Sequence, residues 1–188
     1  IDHGTWQAIR DAMTARTDIT VTDEAVARFL SLLSQPARLG PLLRSLHELR
    51  VLEKLVPGFD HTRCLLQFNE YHKYTVDEHS IRAVERATEF ALRPGPLGDA
   101  YRRIRDKRTL HLALLIHDIG KGYAEDHSEV GARLAEVVTD KLKLSTREAE
   151  RVRFLVQRHL MLSHLAFRRD ISDEAVVLSG AVEIGSPT

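Results

Sequence analysis

The sequence predicts an all-α fold, and three observations support this prediction. Apolar residues recur at spacings of three and four in successive segments, as on the buried face of an amphipathic helix. Several segments begin with Ser, Thr or Asp followed three residues later by Glu, which is the capping-box pattern of a helix start. No strand-like alternation of apolar and polar residues extends beyond a few positions. The chain is therefore expected to consist of helices joined by turns.

Residues 1–60 are expected to form a small helical lead-in to a main domain that spans residues 61–188. The apolar spacing predicts a first helix around Trp6, a second after the capping residue Thr22 and a third over residues 42–52. No pattern typical of a catalytic or ligand-binding site occurs in this segment.

The next predicted helix begins with a capping box made by Thr75 and Glu78. Its inward face would carry His79 and Ala83, so that His79 lies in the first turn on the apolar side. Taken alone, a histidine at such a position is more often a core residue with a backbone partner than a metal ligand.

Later helix starts are predicted from the same pattern. Asp126 with Glu129 and Ser145 with Glu148 form two further capping boxes, and a last helix is expected from about Glu174. Each of these segments continues with apolar residues at helical spacing, so four or more helices should follow residue 75.

The most informative stretch is the apolar helix that ends in His117 and Asp118. Thr109 is expected to cap its start, and Gly120 to end it. An ionisable pair at the end of a buried helix is unfavourable unless something compensates it. Neutral imidazole and carboxylate are both good ligands for first-row metals, so the context predicts a metal site, although most His-Asp pairs are surface or hydrogen-bonded residues.

Composition narrows the classes of function. The chain has 27 Lys and Arg against 27 Asp and Glu, and this zero net charge does not favour nucleic acid or a membrane surface as the partner. The single cysteine, Cys64, excludes an internal disulfide and suits a reducing cytoplasm. The basic run over residues 102–108 is interpreted as a solvated surface. Because the chain begins at Ile1, we expect a piece of a longer cytoplasmic protein.

Ten histidines are many for 188 residues, and several fall at helix ends or on apolar faces. The candidate metal ligands are His79, His117, Asp118, His127, His159 and Asp170. Two or three imidazoles with carboxylates form a typical site for Mn, Fe or Zn, and Asp118 could bridge two ions. For His127, an exposed capping residue is almost as good an interpretation.

Lys121, Arg168 and Arg169 suit phosphate oxygens, although surface charge equally explains the two arginines. The chemistry indicated is metal-assisted hydrolysis of a phosphate ester.

Four motifs in order then resemble one family. They read YHKYTVDEHS, LALLIHDIGKG, EDHSEVGARLA and VQRHLMLSHLAFRRDISDE. Together they resemble the HD superfamily of metal-dependent phosphohydrolases, and most closely the uridylyl-removing HD domains of the bifunctional protein-PII uridylyltransferases. The resemblance covers roughly residues 42–174. It implies an HD-domain helical bundle preceded by the helical lead-in.

The resemblance implies removal of UMP from a tyrosine of the PII nitrogen-signalling protein. This is a phosphodiester hydrolysis that needs one or two divalent ions, which would be Mn, Mg, Fe or Zn. The partners would be uridylylated PII and the other domains of a parent enzyme, without nucleic acid or membrane. Two alternatives stay open: a generic HD-type nucleotide phosphohydrolase and a catalytically silent regulatory HD module.

The family motifs also imply residue roles. His79, His117 and Asp118 would be metal ligands, with His127 and His159 as additional ones. Asp118 and Lys121 would be the catalytic residues, and His72 would lie on the substrate side with Lys121, Arg168 and Arg169. The last aspartate of the pattern is assigned to Asp170, with Asp173 or a residue beyond Thr188 as alternatives. The nucleotidyltransferase and ligand-sensing ACT domains of the family are not in this sequence, so we expect it neither to add UMP nor to respond to glutamine.

Overall fold

The computed structural model describes residues 2–16, 19–67, 74–168 and 174–185. Within these ranges it contains eleven α-helices, two short 3-10 turns and no strand, which confirms the all-α prediction. The helices are α1 (His3–Ala15), α2 (Asp23–Leu33), α3 (Leu39–Glu48), α4 (Leu52–Leu55), α5 (Val76–Glu89), α6 (Pro96–Arg103), α7 (Lys107–Ile116), α8 (His127–Lys141), α9 (Thr146–Gln157), α10 (Met161–Arg168) and α11 (Glu174–Ile184). The 3-10 turns are Pro36–Arg38 and Phe59–Thr62.

The chain forms two compact units, Ile1–Gln157 and Arg158–Thr188. The first contains α1 to α9, and the second contains α10 and α11, which pack on each other. The expected division of the chain at residue 60 stays a prediction about domain limits. None of the helices in the described ranges combines the length and apolarity that crossing a bilayer requires.

The core of the first unit is organised around α7. This helix packs against α2, α5 and α9, so helices from both sides of residue 60 share one core. Leu112, Leu115 and Ile116 of α7 are completely buried. Full burial of such a side chain contributes about 1.5–3 kcal/mol. The C-terminal end of α7 is therefore held firmly, and that end carries the His-Asp pair.

Three predicted helix starts are confirmed. The Ser145 hydroxyl accepts a hydrogen bond from the Glu148 N–H (3.4 Å), and the Glu148 carboxylate accepts one from the Ser145 N–H (3.1 Å), which completes a capping box. The Asp126 side chain caps α8 by accepting from the Glu129 N–H (3.2 Å), and Thr22 caps α2. These bonds satisfy N–H groups that have no partner inside the helix.

Two predicted caps differ in the structure. Thr75 is the N-cap of α5 and the helix begins directly after it, as predicted, but its side chain makes no capping bond there. The helix α7 begins earlier than expected, because the Asp106 carboxylate accepts hydrogen bonds from the N–H (3.2 Å) and hydroxyl (2.5 Å) of Thr109. This helix also ends at Ile116 rather than at Gly120. The His-Asp pair consequently follows α7 instead of belonging to it.

Two predictions about the middle of the chain also need correction. The expected helix over residues 42–52 is broken after α3, where Arg50 has a φ of 61° and so leaves the helical conformation. The buried face of α5 is set by contacts with α3 and α7 and does not include Ala83. The buried residues are Val76, Asp77, Ser80, Ile81 and Val84. His79 therefore lies half-buried at the edge of this face, and α6 and α10 were not predicted at all.

A fully buried histidine ties α2 to α7. The Nδ1–H of His111 donates to the Leu33 carbonyl oxygen (2.6 Å), and its Nε2 accepts from the Tyr101 hydroxyl (2.9 Å). Both ring nitrogens are thus satisfied in the neutral ring. Burial lowers the pKa of His111 below its ordinary value, because a charged ring would lose its hydration.

We predict that His111 makes the stability of the protein fall in mild acid. Its folded-state pKa lies below the unfolded value of about 6.5, so the unfolded chain binds the proton more readily and the free energy of unfolding decreases as pH drops below about 6.5. His111→Gln should cost about 1–3 kcal/mol at pH 8 and remove this part of the pH dependence. Urea unfolding at pH 8 and pH 5.5 measures both effects, with the exposed His3→Gln as control. A pH dependence that is the same in wild type and His111→Gln would contradict the prediction.

Candidate metal centre

The turn that follows α7 carries His117 and Asp118. His117 is the C-cap of α7, and the Lys121 N–H donates to the Asp118 carbonyl oxygen (3.0 Å), which closes a tight turn. Ile119 is buried and anchors this turn in the core. Asp118 is only 2% exposed, so the turn places a carboxylate inside the protein.

Three potential ligand atoms converge beside this turn. The Nε2 atoms of His79 and His117 are 3.2 Å apart, and Asp118 Oδ2 lies 3.6 Å from the first and 3.2 Å from the second. Ligand atoms about 2.1 Å from one ion, at angles of about 90–120°, lie about 3.0–3.6 Å from one another. The observed separations therefore fit a single divalent ion. We call His79, His117 and Asp118 the imidazole–carboxylate cluster.

The orientation of His117 suits a metal ligand. Its Nδ1 lies 2.8 Å from the Leu114 carbonyl oxygen, which can only accept a hydrogen bond, so Nδ1 carries the proton. The lone pair of Nε2 then points toward the cluster, as in the usual arrangement of metal-binding histidines. The side chains of His117 and Asp118 are largely buried, whereas that of His79 is 40% exposed. The cluster consequently opens to solvent on the His79 side, where water and substrate can enter.

Lys121 supplies the positive charge nearest to the cluster. Its Nζ lies 2.8 Å from Asp118 Oδ2, and its side chain is largely buried. A buried carboxylate needs such a partner, because removing it from water unpaired costs several kcal/mol. The ammonium also carries three donors, so it can neutralise Asp118 and bind a phosphate oxygen.

The N-terminus of α8 packs directly on the same turn. A Cβ added to Gly120 would lie 2.1 Å from the carbonyl oxygen of His127 and 2.6 Å from the N of Gly131, so glycine is required for this close approach. A ring nitrogen of His127 lies within 4.8 Å of a carboxylate oxygen of Asp118. Asp118 is therefore within reach of imidazoles from α5, from the end of α7 and from the start of α8.

A second glycine holds the far end of the turn. Gly122 has a φ of 88°, and a Cβ there would lie 2.8 Å from Leu65 Cδ2 and 2.9 Å from His61 Nε2. The His61 ring packs on the ring of Tyr123, with centroids 4.4 Å apart. No motif in the sequence connects His61 with the residues of this turn, so its position here was not predicted.

The other predicted site residues are placed less fully. His159 is half-buried in the turn over residues 158–160, at the start of the second unit, and Arg168 is the last residue of α10. Three predicted residues lie outside the described residues, namely His72, Arg169 and Asp170, as does the alternative Asp173. Their roles stay predictions.

Asp77 is a second buried carboxylate, which the sequence analysis missed. Burial opposes its ionisation, but hydrogen bonds from His47, from the Thr75 hydroxyl and from two backbone N–H groups outweigh this effect. These bonds hold the pKa of Asp77 well below its ordinary value. An aspartate in the first turn of a helix usually lies at the surface, where the helix dipole stabilises it, so nothing in the sequence distinguished this one.

Comparison with known families decides the class of protein. The sequence profile of the family described as HD domain matches residues 76–181, the stretch that carries the imidazole–carboxylate cluster. The chain belongs to the HD domain family. The resemblance drawn from the four motifs is thereby confirmed, together with the class of metal-dependent phosphohydrolases that it implied. The match begins at the first residue of α5 and ends within α11, so the HD domain includes residues of both compact units.

Several curated proteins resemble this chain over most of its length. The three relatives given below are each named bifunctional uridylyltransferase/uridylyl-removing enzyme. The protein from Ruegeria pomeroyi is 41% identical over 159 residues, covering 82% of this chain and 18% of the relative. Those from Gluconobacter oxydans and Cereibacter sphaeroides are 39% and 38% identical, covering 95% and 87% of this chain and 19% and 18% of the relatives. The chain thus spans about a fifth of the length of the curated relatives it matches.

Proposed function

We propose that this HD domain is a metal-dependent phosphodiesterase that hydrolyses the bond between UMP and a tyrosine of the PII protein. One observation carries the proposal, namely an imidazole–carboxylate cluster whose donor atoms lie 3.2–3.6 Å apart next to a buried lysine. The name of the relatives supports a uridylylated substrate, because a uridylyl-removing enzyme releases a uridylyl group. The proposed partner is therefore the PII protein, and the proposed compartment is the cytoplasm.

The proposed metal ligands are the three residues of the cluster. Imidazole nitrogens suit Fe or Zn and a carboxylate suits Mn or Mg, so the mixed donor set accommodates any of these four ions. His127, His159 and Asp170 are proposed as additional ligands, and Asp118 could bridge to a second ion. The distance of at most 4.8 Å between ligand atoms of Asp118 and His127 supports a role for Asp118 as the shared ligand.

In the proposed reaction, the oxygen of water forms a bond to phosphorus and the bond between phosphorus and the tyrosine oxygen breaks. The tyrosine oxygen takes up a proton and UMP leaves. A bound divalent ion supplies a nucleophile from water at neutral pH and reduces the negative charge on the phosphate. The chain itself fixes the positions of these groups, because His117 is held through Leu114 and Asp118 through Lys121.

Lys121 is the proposed phosphate-binding group of the first unit. A phosphodiester carries one negative charge, and this charge moves toward the leaving oxygen as the bond breaks. An ammonium 2.8 Å from Asp118 is held in place before substrate arrives, so it stabilises the transition state without reorganisation. His72, Arg168 and Arg169 are proposed as further substrate contacts.

We predict that His117→Ala and Asp118→Ala each lose bound metal and hydrolytic activity. Each change deletes a ligand of the cluster, so the affinity for Mn²⁺ should fall by more than the ~10–100-fold typical of residues that only support a ligand. Lys121→Ala should keep its metal but lose roughly 10²–10³-fold in turnover, as expected for one lost transition-state donor. Elemental analysis after equilibration with Mn²⁺, and hydrolysis of a chromogenic phosphodiester, measure the two effects.

The control for these variants is His3→Ala, which removes an exposed imidazole from the start of α1. It should leave metal content and turnover unchanged. Wild-type protein that binds no metal, or His117→Ala protein that retains a full complement, would contradict the proposed centre.

We also predict that uridylylated PII is a better substrate than free nucleotides. The expected result is release of UMP from the modified protein at a higher kcat/KM than release of phosphate from UMP. Chromatography of the products, with wild type and His117→Ala side by side, measures both reactions. Preference for free nucleotides would indicate a generic nucleotide phosphohydrolase, and metal-loaded protein without turnover would indicate a silent regulatory module. Either outcome would overturn the uridylyl-removing proposal.

A further inference from the structure

We propose that His47 and Asp77 form a positioning pair that sets the place of the His79 ring, so that α3 controls the geometry of the metal centre. His47 precedes the matched HD domain segment, which begins at residue 76. The inference rests on the proposed function, because it takes His79 to be a metal ligand.

The first step is the way Asp77 is held. Asp77 is 5% exposed and lies two residues before His79 in the first turn of α5. One of its oxygens accepts from His47 Nε2 (2.9 Å) and from the Cys64 N–H (3.1 Å), and the other accepts from the Glu78 N–H (2.9 Å). The bonds from His47 and Cys64 come from outside α5, so the first turn of α5 cannot rotate without breaking these two bonds.

The second step is the way His47 is held. An Arg63 guanidinium nitrogen donates to His47 Nδ1 (3.1 Å), which places the ring proton on Nε2, facing Asp77. The same nitrogen donates to the carbonyl oxygen of His47 (2.7 Å) and to Glu53 (3.3 Å). The His47 ring also packs at right angles to the ring of Phe59, with centroids 5.5 Å apart. Both the tautomer and the orientation of His47 are therefore determined by its surroundings.

The third step is a parallel contact one turn earlier on α3. Arg44 pairs with Glu78 (3.2 Å) and with Glu85 (3.4 Å) of α5. Asp77 and Glu78 directly precede His79. His47 binds the first and Arg44 binds the second, and these two residues of α3 lie on one helix face. This arrangement determines both the rotation of α5 about its axis and its position along the axis. His79 Nε2 has to meet His117 Nε2 and Asp118 Oδ2 within 3.6 Å, and a small rotation of α5 would separate them.

A purely structural role for this contact makes a different prediction. In that case the loss of His47 would lower stability without changing the metal centre of the folded protein. His111 provides the matched comparison, because it is also a buried histidine that ties an N-terminal helix to the core, but its partners are Leu33 and Tyr101. His111→Ala should therefore destabilise the protein without moving His79.

The test is the affinity for Mn²⁺, measured by calorimetry in buffer where every variant is folded. His47→Ala should bind Mn²⁺ about 10–100-fold more weakly than wild type. His47→Gln should recover most of the affinity, because its amide nitrogen can replace Nε2 as the donor to Asp77. His111→Ala should keep the wild-type dissociation constant. If His47→Ala does not fold, Asp77→Asn takes its place, since it keeps the size of the side chain and loses the charge.

A metal-free measurement separates this proposal from the proposed function. In apoprotein labelled at histidine, the ring resonances of His79 should shift or broaden in His47→Ala and stay unchanged in His111→Ala. Wild-type Mn²⁺ affinity together with unchanged His79 resonances in His47→Ala would overturn the positioning role alone. Wild-type affinity in His79→Ala, or no binding by wild type, would overturn the proposed function instead.

Discussion

Burying the carboxylate of Asp118 requires positive charge and hydrogen-bond donors close by, because a carboxylate without them would lose several kcal/mol of hydration energy. The surrounding structure meets this requirement. Lys121 supplies an ammonium 2.8 Å away, whereas the Nε2 of His117, 3.2 Å away, carries a lone pair and adds no donor. A divalent ion in the cluster would neutralise the Asp118 carboxylate more strongly than the Lys121 ammonium does. The need to neutralise this buried carboxylate therefore connects the packing of the site with its chemistry.

The backbone around Asp118 follows from that constraint. The turn must bring His117, Asp118 and Lys121 to one place while α8 packs on it, which leaves no room for a Cβ at Gly120. The completely buried residues of α7 hold the start of the turn, and buried Ile119 holds its middle. Rigid support of this kind matters in a hydrolase, because metal ligands and the groups that donate hydrogen bonds to the phosphate act best when they are in place before the substrate binds.

Much of the fold could be predicted from sequence, because it depends on local patterns. The capping bonds of Ser145 and Asp126 involve residues three positions apart, so the sequence alone reveals them. The prediction failed at α5 because tertiary contacts with α3 and α7 turned its buried face away from Ala83. At α7 the cap is local, since Asp106 and Thr109 are three residues apart, but Thr109 was chosen as the cap in place of Asp106. A short helix such as α6 carries too few residues for its apolar period to be recognised.

The candidate site was predictable to a similar degree. Family motifs name His79, His117 and Asp118 as metal ligands, and the structure brings these three residues together. The supporting residues are different. His47 lies 30 residues before Asp77, and Arg63 contacts it from a third segment, so neither period nor spacing connects them. Support of this kind is visible only in three dimensions, and it links the segment before the matched HD domain to His79, the first of the proposed metal ligands.

The most direct measurement of the central claim is the position of a bound ion. Crystals of the protein equilibrated with Mn²⁺ would be measured at the manganese absorption edge, where anomalous scattering locates the ion independently of the protein atoms. We expect a peak in contact with Nε2 of His79, Nε2 of His117 and the carboxylate of Asp118. The absence of a peak at this cluster in Mn²⁺-saturated crystals would contradict the proposed centre.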